Sequence, residues 1–230
     1  MKILAIETST LVGSIALIDN NTLLTELQME IKATYSDTLF PFIDRSLQDL
    51  TISIHEIDGY ALALGPGSFT ALRIGLSVIK GLALATGKPL VGIPSLDGLA
   101  HNLCFSDLLI CPVLDARKGE VYTAFYKSED DHILKRRTPD RVVDPHTLMD
   151  EIEEKVIFLG DGVAKYKNLM NSTLKGKALF APLHLNYPKA SSIAQLALKK
   201  FENDEVMDCA RTSPLYVRLP EAEIKWRGKR

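Results

Sequence analysis

What most constrains the fold of this chain is an order of elements that can be read twice along it. KILAIE (Lys2 to Glu7), GSIALID (Gly13 to Asp19) and TLLTELQME (Thr22 to Glu30) are β-favouring runs, separated by TSTLV and by the turn-prone Asp19 to Asn21. They predict a three-stranded meander. In YSDTLFPFIDRSLQDL, Leu39, Ile43, Leu47 and Leu50 recur at helical spacing, with Asp44, Arg45, Gln48 and Asp49 opposite. Pro41 must kink this helix or lie in its first turn. Ser53 to Glu56, SIHE, has the form of a capping box, and GYALALG then reads as a buried strand leading through GPGSFT into a second helix. After Cys111, ICPVLDA, EVYTAFYK and HILKRRT predict three strands. Asp144 and Pro145 supply an N-cap and first residue for PHTLMDEIEEK, and VIFLGDG is a strand entering a helix near Tyr166. The pattern is therefore two βββαβα units. A further pair, KALFAP and ASSIAQLALKKFEN, is expected to close the second half, with Ser192, Gln195, Lys199 and Glu202 on its wet face.

At 230 residues and 46% hydrophobic composition the chain can bury a core in each of two lobes, expected at 1–104 and 105–211, with a tail at 212–230 able to return to the first lobe. LVGIPSLDGLAHNLCFSDLLI, between the halves, lacks linker composition, so the lobes should touch. A net charge of −2 argues against a dedicated nucleic-acid binder. The locally basic end, with Lys225, Arg227, Lys229 and Arg230, reads as solvated, nucleic-acid or partner contact being the alternative. Cys104, Cys111 and Cys209 form no CxxC pair, which fits a reduced, cytoplasmic setting. No uncharged run reaches the roughly 20 residues that span a bilayer, so no membrane contact is expected.

GPGSFT, between a strand and a helix, is placed to hold an anion on backbone N–H groups, but it lacks the third glycine of a dinucleotide fingerprint and the GK[ST] of a P-loop. The competing reading is a tight turn in which Gly65 and Gly67 take unusual φ and Ser68 caps the helix. In that helix Arg73, Ser77 and Lys80 form a polar stripe and Leu72, Leu76, Ile79 and Ala83 an apolar one. Small residues lie at i, i+4 spacing, Ala71 with Gly75 and then Ser77, Gly81 and Ala85. Each interior glycine costs roughly 1 kcal/mol relative to alanine, which close approach of another helix could offset. The helix is either enclosed by its own protein or shared with a second chain.

Glu7, Thr8, Ser9 and Thr10 occupy one hairpin turn, and Asp115, Arg117 and Glu120 the corresponding turn of the second copy. Two such loops across a cleft are the arrangement of actin-like ATP-binding proteins, although polar residues are also what hairpin turns ordinarily contain. His55, His101, His132, His146 and His184 form no HxxxH or HExxH pair, and no GxSxG elbow is present.

ILAIETST, the block ALGPGSFTALRIGLSVIKGLA with GKPLVGIPSL, LDARKGEVYTAFY, and the YVR of Tyr216 to Arg218 together resemble the bacterial TsaB family of tRNA threonylcarbamoyladenosine biosynthesis proteins over nearly the whole length. The resemblance implies an α/β, two-lobed actin-like ATPase fold (ASKHA, ribonuclease H-like), in agreement with the duplicated order. It also implies a non-catalytic role. Members of the family look like shortened relatives of TsaD, the subunit that transfers the threonylcarbamoyl group to the adenosine next to the tRNA anticodon. TsaD carries an HxxxH metal pair on its first long helix, where ATYSDTLFP has Tyr35 and Leu39. The resemblance therefore implies no metal, no cofactor, and neither transferase nor peptidase activity. It further implies a heterodimer with TsaD through a bundle of the first two long helices, TsaE docking where both subunits meet, a homodimer through overlapping surface, and only indirect contact with tRNA. The interface expected on this basis comprises Leu39, Phe40, Ile43, Leu47, Leu72, Arg73, Gly75, Leu76, Ile79 and Lys80, and the two hairpins become vestigial nucleotide loops. An autonomous ATP-dependent phosphotransferase or ATPase of the actin-like superfamily is the alternative.

Overall fold

A computed structural model describes residues 1–31, 35–129 and 134–218. The first unit consists of β1 (Lys2–Glu7), β2 (Val12–Asp19), β3 (Thr22–Glu30), α1 (Tyr35–Asp49), β4 (Gly59–Gly65), α2 (Phe69–Thr86), β5 (Leu90–Pro94) and α3 (Ser95–His101). The second consists of β6 (Leu109–Asp115), β7 (Val121–Thr123), β8 (Tyr126–Ser128), β9 (Leu134–Arg136), β10 (Arg141–Val143), α4 (Pro145–Asp150), β11 (Val156–Leu159), α5 (Gly162–Leu174), β12 (Ala178–Phe180) and α6 (Ala190–Glu202). The two sheets have one topology. The first runs β3-β2-β1-β4-β5 and the second β10-β7-β6-β11-β12. In each, the opening strand pairs antiparallel with the next and parallel with the strand that follows the first helix.

The duplication departs from the expected strands in one respect. EVYTAFYK is divided into β7 and β8, and the third position of the meander belongs to β10, which pairs with β7. The HILKRRT segment instead supplies β9, paired with β8 (His132 and Ile133 lie outside the described residues). The ladder breaks at Phe125, whose N–H donates to the Thr138 hydroxyl at 2.9 Å. A three-residue strand abutting a helix cap is too short to show a period.

β1 and β4 are buried on both faces, and their alternation sorts residues into two layers. Leu4, Ile6, Tyr60 and Leu62 face α1 and α2, where they meet Leu39, Ile43, Leu76 and Ile79. Ile3, Ala5, Ala61 and Ala63 face α6, where they meet Ala190, Ile193, Ala194 and Ala197. Alanine on both surfaces lets this helix lie close to the sheet, and Gly59 leaves the space that the Phe201 ring fills. The sequence reading assigned α6 to the second half. It packs instead on the first sheet, and Ser192, expected on the wet face, is buried with its hydroxyl donating to Asn102 Oδ1 at 2.9 Å. The reciprocal exchange holds for α3, whose Leu96, Leu99 and Ala100 pack with Ile110, Leu114 and Leu159 of the second sheet. α3 and α6 also touch each other. A Cβ at Gly98 would lie 2.5 Å from Ile193 Cδ1, so the glycine-assisted helix approach expected along α2 occurs here.

Several local expectations hold. Ser53 and Glu56 form a capping box on a single 3-10 turn. Asp144 caps α4 by accepting from His146 and Thr147, with Pro145 at the first helical position. The polar face of α1 carries an Arg45–Asp49 ion pair at 2.9 Å and a Gln48 to Asp44 hydrogen bond at 2.7 Å. Pro41 is inside α1 rather than in its first turn.

Candidate functional site

Both hairpins and the GPGSF loop open onto one cleft between the sheets, with a volume of about 750 Å³. Its walls include Ser9 and Thr10 from the β1–β2 turn, Pro66 to Thr70 from the β4–α2 turn, Asp115 to Lys118 from the β6–β7 turn, Asp161 from the β11–α5 turn, and Leu215 to Arg218. The duplicated topology explains this convergence, because each loop leaves the same end of its sheet. Glu7, Thr8 and Glu120 are not among the lining residues.

The first hairpin is closed upon itself. Glu7 has no exposed surface, accepts from the Ser9 N–H, and keeps its other carboxylate oxygen buried without a hydrogen-bonding partner. Burial pushes its carboxyl up to about 7, against the lowering effect of Ser9. The Ser9 carbonyl accepts from the Ser68 N–H at 2.7 Å, and a Cβ on Gly67 would lie 2.3 Å from that same oxygen. Gly67 is therefore a close-approach residue, whereas Gly65, at φ +110°, is the one that needs glycine's backbone freedom. Ser68 stands at the N-cap of α2, but its hydroxyl makes no capping bond, a correction to the expected role.

The second hairpin is more open. Asp115 accepts from the Arg117 N–H at 2.9 Å and pairs with Lys165 at 3.2 Å, and its own N–H donates to Asp161 Oδ1 at 2.9 Å. Burial pushes the Asp161 carboxyl up, against the lowering effect of the hydrogen bond from the Asp115 N–H, while the Asp115 charge raises it further. Asp161 and Lys165 were not singled out from the sequence. The signal that could have found them is the duplication, since LGDG occupies in the second unit the turn that GPGS occupies in the first.

Loops so placed can hold a nucleotide's phosphates on backbone N–H groups and its metal on a carboxylate. The residues of the first hairpin and of the turn before α2 do not fit that use. The space beside Gly67 is taken by the Ser9 carbonyl, the Ser68 N–H is engaged, and the Glu7 carboxylate is sealed beneath the turn. Among the described residues no three His, Cys, Asp or Glu side chains are grouped as a metal site requires.

The expected interface residues divide sharply. Leu39, Ile43, Leu47, Leu72, Leu76 and Ile79 are buried within their own lobe, none more than 7% exposed. Gly75 is buried too, and its Cβ position lies 2.4 Å from Thr8 Oγ1, so this glycine accommodates the first hairpin rather than a second helix. Phe40 is 49% exposed. Arg73 and Lys80 hold the chain's own C-terminal segment. Arg73 Nε donates to the Tyr216 hydroxyl at 2.9 Å and its guanidinium sits 3.9 Å from the Phe69 ring centroid, while Lys80 donates to the carbonyls of Ala210 and Thr212, each at 3.3 Å. Exposed along α2 are Thr70, Arg73, Ser77, Gly81, Leu84 and Ala85, and among the described residues no atom lies within 4 Å of a Cβ built on Gly81. Among the described residues α2 is the one helix long and apolar enough to cross a bilayer, and its buried face lies on its own sheet.

Comparison with known proteins agrees with this architecture. The family of tRNA N6-adenosine threonylcarbamoyltransferase, TsaD, matches residues 29–226. The tRNA threonylcarbamoyladenosine biosynthesis protein TsaB of Bacillus subtilis is 33% identical over 229 residues, covering 98% of each chain. A solved Pseudomonas aeruginosa protein, described as similar to the peptidase YeaZ, superposes with a TM-score of 0.80 at 24% identity, over 94% of this chain and 99% of that one. The (R)-2-hydroxyglutaryl-CoA dehydratase component A of Acidaminococcus fermentans superposes with a TM-score of 0.53 at 9% identity, over 87% of this chain and 98% of that one. The structural likenesses establish the two-sheet actin-like ATPase fold. On its full-length sequence match, this chain belongs to the TsaB family of tRNA threonylcarbamoyladenosine biosynthesis proteins.

Proposed function

We propose that this chain serves tRNA threonylcarbamoyladenosine biosynthesis as a non-catalytic subunit that dimerises with, and supports, the transferase TsaD. The observation that carries the reading is a match to the TsaD family over 29–226 by a chain that has Tyr35 and Leu39 where that family's metal-binding histidines would stand. Leu39 is 1% exposed and packs in the lobe's core, so the position has been given over to structure. A closed first hairpin supports the same reading, since it offers no phosphate cradle for chemistry of the chain's own.

The docking face is the outer side of α1 and α2. Phe40 and the uncovered row of Ser77, Gly81 and Ala85 favour it, because small exposed residues on an i±4 row admit a second helix at short range. TsaE is expected where the two subunits meet, and a homodimer through overlapping surface is expected in the absence of TsaD. Both lobes, 1–104 and 105–211, take part in one unit through the exchange of α3 and α6.

Co-purification with TsaD and TsaE, with mass measurement of the complex and a tRNA modification assay, tests the proposal. Heterodimer formation and modification that requires this chain are expected. TsaD that modifies tRNA equally well without it overturns the proposal, and ATP turnover by the isolated chain would instead support the autonomous enzyme.

A further inference from the structure

We infer that residues 215–218 form a strap latched across the mouth of the interlobe cleft, tying the β6–β7 hairpin of the second unit to the start of α2 in the first. The chain approaches this position already laid along the first unit. The Met207 N–H donates to the Leu90 carbonyl at 2.8 Å, and Lys80 holds the carbonyls of Ala210 and Thr212. Four successive residues then cross the cleft. The Leu215 N–H donates to the Leu64 carbonyl at 2.7 Å, extending the end of β4. Gly65 allows this, since a Cβ there would lie 2.9 Å from the Leu215 carbonyl oxygen. The Tyr216 ring stacks on Phe69 at 4.9 Å between centroids, with its hydroxyl fixed by Arg73. Arg218 finally reaches the other unit, donating to the Ala116 carbonyl at 2.9 Å and pairing with Glu120.

The two ends of the strap differ in kind. At the first unit it is held by a backbone hydrogen bond, a stacked ring and the bond from Arg73 to a neutral hydroxyl, all less sensitive to salt than an ion pair. At the second it is held by a part-exposed, charge-assisted contact, the sort weakened by competing ions. Leu215 to Arg218 themselves line the cleft, so their release would widen it on this side. The latch therefore opens at Arg218, and both the hairpin and the strap are freed when it does. This inference concerns the isolated chain and stands whether or not TsaD is its partner.

Amide hydrogen exchange on the full chain tests it, comparing wild type with Arg218→Ala, Arg218→Lys and Tyr216→Ala. Losing one charge-assisted hydrogen bond should speed local opening roughly tenfold. Arg218→Ala should accelerate exchange by that order at Ala116 and Glu120, whose N–H groups close the hairpin, and also at Leu215, which the substitution does not touch. Tyr216→Ala should do the reverse, loosening the hairpin from the far end. Raised salt should reproduce the Arg218→Ala pattern. Acceleration confined to the hairpin in Arg218→Ala, together with an unaltered hairpin in Tyr216→Ala, would overturn the inference. If Arg218→Ala does not fold, raised salt on the wild type, which weakens the Arg218–Glu120 pair without a substitution, carries the same comparison.

Discussion

Gly75 and Gly81 stand on the same helix, and substituting each by alanine separates two reasons for a helical glycine. Either change should favour the helix by roughly 0.5–1 kcal/mol, because alanine has less backbone freedom to lose on folding. At Gly81 nothing among the described residues lies within 4 Å of the new Cβ, so the whole gain should appear as stability. At Gly75 the new methyl meets Thr8 Oγ1 at 2.4 Å and Thr8 Cγ2 at 3.1 Å. Thr8 is 2% exposed and belongs to the turn closed by Glu7 and Ser9, so it has little room to retreat. Overpacking of this kind costs about 1–3 kcal/mol, which leaves Gly75→Ala neutral to about 2.5 kcal/mol less stable than wild type. The propensity gain cancels between the two variants, and their difference of about 1–3 kcal/mol isolates the steric cost. In a chain of this size each kcal/mol moves Tm by about 2–4 °C, well within the reach of thermal or urea unfolding. Equal stabilisation by both substitutions would refute the reasoning, since it would mean that the hairpin yields to Gly75 at no cost.

Further outcomes follow from the same geometry. Gly81→Leu should leave the fold intact and abolish heterodimer formation with TsaD, as read by co-purification and melting temperature; normal binding by the folded variant places the interface elsewhere. Glu7 has a folded-state pKa of about 7 against the usual 4.5, so its contribution to stability is complete below about 4.5 and is lost as pH rises through about 7. At about 1.4 kcal/mol per unit this amounts to at most a few kcal/mol, and Glu7→Gln should flatten the fall in Tm between pH 5 and pH 8; an unchanged pH profile would show that the carboxyl is not proton-linked to folding. Gly98→Ala must push aside Ile193 Cδ1, the far end of a flexible side chain, at a cost of about 1 kcal/mol that the helix gain of about 0.5–1 kcal/mol nearly offsets, so little change in denaturant midpoint is expected; a gain as large as that of Gly81→Ala would show α3 and α6 to be less closely seated.

Much of this protein was legible from its residues because local rules act over a few positions at a time. β1 and β3, the helical face of α1, the capping box at Ser53 and Glu56, the Asp144–Pro145 helix start and the duplicated order all follow from periodicity and capping chemistry. The resemblance to the TsaB family was carried by contiguous blocks, and it survives comparison over the whole chain. The sequence also placed polar residues in two matching hairpins, and the structure brings these hairpins to one cleft.

Only the tertiary structure decided which surfaces those elements share. Periodicity shows that a helix has an apolar face but not which sheet receives it, so chain order alone leaves α6 with its own half, although its alanines seat it on the first sheet. A glycine marks a place where space is short without naming what fills it: Gly75 makes room for Thr8, Gly98 for Ile193, and Gly81 for nothing among the described residues. A polar stripe likewise does not name its partner, and Arg73, which stays exposed, and Lys80 hold Tyr216, Ala210 and Thr212, more than a hundred residues further along. Such contacts depend on distances set by the packing of two sheets and two exchanged helices, quantities that no local pattern in the residues encodes.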